Sequence, residues 1–160
     1  MQSNFGGELV IDGVPIGKLL RARTPSDQTD GSIMVIIATD APLSSRQIYR
    51  LAKCGTLGLA RCGSNGGHGS GDYFIAFSTT YRQQISKGSM ADIALFVKNE
   101  ARINGLFCAA ADAVEEAILN SIFKAETMTG KDARTVPALP IDQVVQILNA
   151  VWENRRCVVR

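Results

Sequence analysis

The octapeptide Ser32-Ile33-Met34-Val35-Ile36-Ile37-Ala38-Thr39 carries no charge and is dominated by β-branched side chains. It is too short for a buried helix of ordinary length, whereas a central strand buried on both faces has this composition. Such a strand needs apolar cover on each side, and that demand shapes everything around it. Immediately upstream, Thr24-Pro25-Ser26-Asp27-Gln28-Thr29-Asp30-Gly31 is polar and turn-rich, which predicts a solvated loop where a chain break costs little. Ser32 stands at the boundary between loop and strand.

Asp40-Ala41-Pro42 closes the strand. From Leu43 to about Ala60, apolar residues recur at helical spacing with Arg46, Gln47, Arg50 and Lys53 between them, so an amphipathic helix is expected, with Asp40 as its capping residue. Gly55 and Gly58 either weaken this helix or let a neighbour pack closely. The segment Gly63 to Asp72 holds five glycines in ten residues and is expected to be irregular. Tyr73-Phe74-Ile75-Ala76-Phe77-Ser78-Thr79-Thr80 then reads as a second buried strand.

Further on, Gln83 to Ser89 reads as a loop and Ile93 to Val97 as a short apolar segment. Leu106 to about Met128 is an Ala-rich helix that Gly130 stops, and Pro140 opens a last helix running to about Trp152. Near the N-terminus, Glu8 to Leu20 is punctuated by Asp12-Gly13 and Pro15 and reads as one or two short strands around a turn. Two hydrophobic strands and three amphipathic helices fit an α/β (or α+β) domain, although periodicity does not set the number of layers.

The chain has 160 residues, enough for one ordinary domain. Its 17 basic and 15 acidic residues are interspersed, leaving no electrostatic footprint for nucleic acid or a membrane surface. Cys54, Cys62, Cys108 and Cys157 lack CxxC spacing, and His68 is the lone histidine, so neither a metal site nor a cofactor is expected and the thiols read as reduced and structural. The first seven residues have neither the charged nor the apolar region of a secretion signal. A cytoplasmic protein is the expectation.

By itself Gly31-Ser32 is an ordinary dipeptide. The glycine-rich segment has amides suited to an anion, yet it lacks the Gly-Lys-Ser/Thr ending of a phosphate loop. His68 reads as a solvated loop residue, with a general base as the alternative. Gly69-Ser70-Gly71-Asp72 reads as a turn entering the second strand. What joins these pieces is their order. Asp30-Gly31-Ser32-Ile33-Met34-Val35-Ile36-Ile37-Ala38-Thr39-Asp40-Ala41-Pro42-Leu43, then Leu57-Gly58-Leu59-Ala60-Arg61, then Gly69-Ser70-Gly71-Asp72-Tyr73-Phe74-Ile75-Ala76-Phe77-Ser78-Thr79 closely resembles the C-terminal part of the L-aminopeptidase/D-esterase family, which includes the β-peptidyl aminopeptidases. Ile11-Asp12-Gly13-Val14-Pro15-Ile16-Gly17 resembles the end of that family's N-terminal subunit, and Gly130 to Pro140 resembles its C-terminal signature.

The resemblance implies part of an αββα sandwich, reached by a chain path unlike that of the better-known N-terminal-nucleophile hydrolases. It implies residues 1–31 as the end of an N-terminal-subunit-like region with its linker, and residues 32–160 as the catalytic region of the same domain. It further implies self-cleavage between Gly31 and Ser32, with Ser32 as nucleophile, its freed α-amine as base, Ser70 as a hydrogen-bond relay and Asp72 as the group that orients Ser70 or stabilises the protonated amine. The implied substrates are small peptides, amides or esters; the implied partners are the upstream subunit of the same precursor and further copies of the protein. The family's precursor is much longer, and its N-terminal subunit supplies much of the substrate pocket and oxyanion-stabilising side chains. A catalytically incomplete fragment acting as a structural or interaction module is therefore the alternative. A kinship with the ornithine acetyltransferases is disfavoured, since their nucleophile is Thr and this position is Ser32.

Overall fold

The uncharged octapeptide forms the middle strand of a three-stranded sheet. The computed structural model describes residues 2–4, 7–23, 31–80 and 100–158. Strand β1 (Gln2–Asn4) pairs antiparallel with β2 (Ser32–Thr39), and β3 (Tyr73–Ser78) lies parallel to β2 on its other edge, with Met34 opposite Tyr73 and Thr39 opposite Ser78. A parallel neighbour requires a crossover, and helix α2 (Ser45–Arg61) provides it.

Burial on β2 alternates. Ile33 and Val35 are each 3% exposed, whereas Met34 is 48% and Ile36 62% exposed. The expectation of a strand buried on both faces is thus corrected: the helices cover one face, and Met34, Ile36, Tyr73, Ile75 and Phe77 stand on the open one. On the covered face Ile33 and Val35 pack with Leu59 and Cys62 of the α2 end and with Val114 and Ile118 of α3 (Glu100–Phe123). Two glycines of α2 permit this closeness. A Cβ at Gly55 would lie 2.9 Å from the Phe74 ring, and one at Gly58 would overlap the Ala111 carbonyl oxygen. Of the two readings of these glycines, close packing holds.

The cap of α2 is Ser44, not Asp40. Ser44 Oγ accepts from the Gln47 amide and Gln47 Oε1 accepts from the Ser44 amide at 2.9 Å, a reciprocal capping box. Asp40 lies too far upstream for that geometry; its carbonyl instead accepts the Thr80 hydroxyl, at the strand exit. Replacing Ser44 with Ala is expected to cost about 1 kcal/mol, read as a lower urea midpoint with unchanged slope.

Near the N-terminus, Ile11 and Val14 form a two-residue hairpin whose central Asp12 (φ 49) and Gly13 (φ 70) both adopt positive φ, as a tight primed turn requires. The extended reading fails beyond it, because Ile16–Arg23 is helix α1. Pro15 fits just ahead of a first helical turn, where a missing N–H costs nothing. Leu9, Val14 and Ile16 pack against Val144, Ile147 and Leu148 of α4 (Ile141–Val158), and Trp152 Nε1 donates to Asp12 at 2.9 Å.

Helix α3 stops at Phe123 rather than near Met128, and begins at Glu100, inside a stretch with no clear periodicity. Met128–Thr129 (β4) and Thr135–Val136 (β5) form a short hairpin joined by a turn with Asp132 at φ 58 and Ala133 at φ 56. The expected loop at Gln83 to Ser89, the apolar segment at Ile93 to Val97 and most of the loop at Thr24 to Gly31 lie outside the described residues. Among the described residues no helix is long and apolar enough to cross a membrane.

Cys62 is 1% exposed, and burial pushes its thiol up to about 11. The unfolded thiol ionises at lower pH, so the folded state is favoured fully below the unfolded value and loses that advantage as pH rises towards 11. Stability is expected to fall between about pH 9 and 11, and Cys62→Val should flatten that fall in a pH series of urea melts.

Candidate active site

The site lies where β2 begins and β3 is about to begin. Continuing the parallel register back from the Met34–Tyr73 pair sets Gly71 opposite Ser32. The Gly71 N–H donates to Ser32 Oγ at 3.1 Å. One residue to either side, Ser70 Oγ donates to Asp72 Oδ1 at 2.7 Å. The backbone of Ser32 is also held from its other edge by Asn4 of β1. A nucleophile candidate thus sits on a strand tethered on both sides rather than on a free loop, which favours precise placement.

Local sequence explains the arrangement. Ser32 has the even parity of Met34 and Ile36, so its side chain emerges on the open face and is exposed. The glycine-rich segment turns sharply before β3, with Gly63 at φ 98 and Gly66 at φ 61, and Ser70 N closes onto the Gly67 carbonyl at 2.9 Å. A Cβ at Gly63 would collide with the Glu8 carbonyl, so only glycine allows the loop to leave α2 beneath the N-terminal segment. The loop then delivers Ser70, Gly71 and Asp72 to the start of β2.

Ser32, Ser70 and Asp72 are therefore brought together, with Gly31 on the upstream side of the tethered strand. The expected Ser70-to-Ser32 hydrogen bond is replaced by another pattern: the Ser70 hydroxyl donates to Asp72, while Ser32 accepts from Gly71. His68 lies in an exposed turn of the loop and takes part in neither bond. Among the described residues no group of three or more His, Cys, Asp or Glu side chains is placed to hold a metal ion.

The Gly71 amide is the functional group that sequence reasoning missed. Every residue but proline has an N–H, so no residue type signals it; the parallel register does, and that follows only from how β2 and β3 pair. Met34 and Tyr73 are the apolar neighbours of Ser32 on the open face, and Tyr73 Cε2 would lie 3.7 Å from a Cβ at Gly71.

The chain is similar to known proteins over most of its length. A family model described as peptidase family S58 matches residues 1–136. The β-peptidyl aminopeptidases BapA of Sphingosinicella microcystinivorans and Sphingosinicella xenopeptidilytica are 37% and 32% identical over 92% and 97% of this chain. The chain spans 41% and 42% of their lengths, respectively. Among solved structures, a Pyrococcus horikoshii protein superposes with a TM-score of 0.78 at 39% identity, over 92% of this chain and 41% of its own. The Ochrobactrum anthropi L-aminopeptidase D-Ala-esterase/amidase, described as a prototype for the serine aminopeptidases and a new variant among the Ntn hydrolase fold, gives 0.76 at 35% identity, over 91% and 40%. A Burkholderia sp. β-aminopeptidase gives 0.72 at 33%, over 92% and 42%. The α/β class and the place of this sheet and its helices within an Ntn-type sandwich follow from those superpositions. A family model spanning most of the sequence, and relatives more than 30% identical over nearly all of it, show that the chain belongs to peptidase family S58.

Proposed function

We propose that this chain carries the nucleophile of a self-processing serine aminopeptidase that releases N-terminal residues from small peptides, amides or esters. The observation that carries the reading is Ser32 Oγ, exposed at the start of a doubly tethered strand and engaged by the Gly71 amide beside a Ser70–Asp72 pair. Family membership favours this over a purely structural module.

In the processing step Ser32 Oγ attacks the Gly31 carbonyl carbon. The hydroxyl proton passes to the peptide nitrogen of Ser32, which leaves as the amine, and the acyl group passes to oxygen. Water then hydrolyses the ester, leaving Gly31 with a carboxylate and Ser32 with a free α-amine. That amine has a reference pKa of about 8 and serves as base for the next attack, on substrate. Because the Ser70 hydroxyl donates its single O–H to Asp72, its oxygen is left to accept, either from Ser32 or from the ammonium that forms. The relay then runs from Ser32 through Ser70 to Asp72, with the carboxylate balancing the positive charge. Asp72→Asn, which keeps the shape and removes the charge, is expected to lower the rate of amine release about 100-fold.

The segment upstream of the cut has its own reasons to stay. β1 pairs with β2, Leu9 and Val14 are sealed under α4, Val10 N donates to the Cys62 carbonyl at 2.8 Å, and Trp152 holds Asp12. The open apolar face of β2 and β3 fits cover by the remainder of the N-terminal subunit, which would complete the substrate pocket and supply oxyanion donors. Exposed Ile141, Val145 and Trp152 on α4 fit contact between copies in a homo-oligomer, which sedimentation of the assembled protein tests by its mass. The free thiols Cys54, Cys62 and Cys108 fit a cytoplasmic setting.

The test of function is an assay of the chain joined to its upstream subunit, against anilides of α-, β- and D-amino acids. Release of aniline from at least one class, with ordinary saturation, is the expected result. Cleaved, folded protein that turns over none of them refutes the aminopeptidase reading.

A further inference from the structure

Contacts between α2 and α3 advance in the same sense along both helices. Arg50 lies 4.9 Å from the Phe107 ring centroid, Gly58 abuts the Ala111 carbonyl, and Arg61 reaches Asp112 and Glu115 at 2.5 and 3.2 Å. The helices therefore run side by side in one direction, and Gly58 marks a very close approach of one backbone to the other. Cys54 stands one turn before Gly58 on the same face of α2, and Cys108 one turn before Ala111 on α3. Both thiols are free; Cys54 is half-buried against the cluster of Leu43, Leu51 and Ala110, and Cys108 is exposed. Burial pushes the Cys54 thiol up, Arg50 draws it back and Cys108 pushes it up again.

We propose that Cys54 and Cys108 form a reversible disulfide across the α2–α3 seam, a modification site that takes a small-molecule disulfide such as oxidised glutathione as its oxidant. Residues one turn before a glycine-mediated contact, on the same faces of two helices running in one direction, are placed to approach the Cα separation of about 4.4 to 6.8 Å that a disulfide needs. The exposed Cys108 loses its proton and attacks one sulfur of the oxidant, releasing one glutathione thiolate. Cys54 thiolate then attacks the Cys108 sulfur of that mixed disulfide and expels the second. Two protein thiols are oxidised by two electrons, the small disulfide is reduced to two thiols, and the two protons pass to water or to the leaving thiolates. Cys62 stays outside this exchange at neutral pH, since it is buried and its thiol is held near 11. The bond would fasten α3 to a helix whose Gly55 packs on Phe74, directly beneath the strand that follows Asp72.

The test treats the native full chain with excess oxidised glutathione, blocks residual thiols, and reads intact mass and proteolytic peptides. The expected product is lighter by about 2 Da, links the peptides of Cys54 and Cys108, reverts with a dithiol, and melts about 5 °C higher or more. Neither Cys54→Ser nor Cys108→Ser should give the internal bridge. A chain that stays reduced, a stable glutathione adduct on Cys108 with no bridge, a bridge to Cys157, or links only between copies would each overturn the proposal.

Discussion

Ser32→Ala is expected to abolish scission of the Gly31–Ser32 bond while leaving the fold intact. The mutation removes a single oxygen from an exposed side chain, and the only hydrogen bond described for it, from the Gly71 amide, is itself exposed. Water replaces that acceptor, so the stability change should stay within about 1 kcal/mol. The chemistry has no such substitute. With no hydroxyl there is no attack on the Gly31 carbonyl, no ester and no N-terminal base, so both processing and aminopeptidase turnover should fall by about 10⁴-fold or more. Ser32→Cys restores a nucleophile at the same place and should recover measurable processing. Gel separation and intact mass of the two variants follow the bond, and urea melts follow the fold. Scission at the same bond in the Ala variant would mean that another group attacks there.

Gly58→Ala is expected to destabilise strongly, although Ala is the better helix former by about 1 kcal/mol. The added methyl would overlap the Ala111 carbonyl oxygen and crowd Val114 Cβ at 3.0 Å, and both belong to α3 rather than to a side chain that can swing aside. Helices α2 and α3 must separate, opening the core of Leu59, Cys62, Val114 and Ile118 beneath the sheet. A net loss of about 2 kcal/mol or more follows once the propensity gain is subtracted. Gly105→Ala is the matched control: a Cβ there meets nothing within 4 Å, so the same substitution should stabilise by up to about 1 kcal/mol. Urea denaturation of the pair reads both signs. Equal effects at the two positions would show that helix propensity, and not backbone contact, governs Gly58.

The elements with strong local chemistry were legible in the sequence. The Ser32–Thr39 strand was bounded by a polar loop and Asp40-Ala41-Pro42, the second strand by a glycine-rich segment, and α4 by Pro140; each appears in the structure. Helix α1 was not legible. Pro15, just ahead of it, looks like turn punctuation, and within it Gly17 is required because the Gly7 carbonyl lies where its Cβ would be. The two-residue strands at Met128 and Thr135 are too short to show any period. Asp40 was misplaced because cap and strand exit share residue types, and only the reach to Gln47 singles out Ser44.

The double burial of the central strand failed for a more instructive reason. The apolar residues at Met34 and Ile36 are the sort that a covered face carries, but the helices present here cover only the other one. Composition alone does not say which face of a strand its own helices cover. At the site, residue identity alone left Ser32 an ordinary serine and Ser70 and Asp72 part of a turn; the family resemblance carried by motif order singled them out, while the donor to Ser32 and the direction of the Ser70 hydroxyl are properties of strand register and loop path. Sequence names side chains; it does not name backbone amides.

The central claim is that Ser32 becomes an N-terminus. Co-expression of this chain with its upstream subunit, followed by N-terminal sequencing of each separated band, tests it most directly. The account predicts one species whose first residue is Ser32, still bound to the upstream piece in native gels through β1 and the α4 core, and absent from the Ser32→Ala variant. A chain that stays whole through long incubation, or that is cut elsewhere in the loop ahead of Ser32, would contradict it.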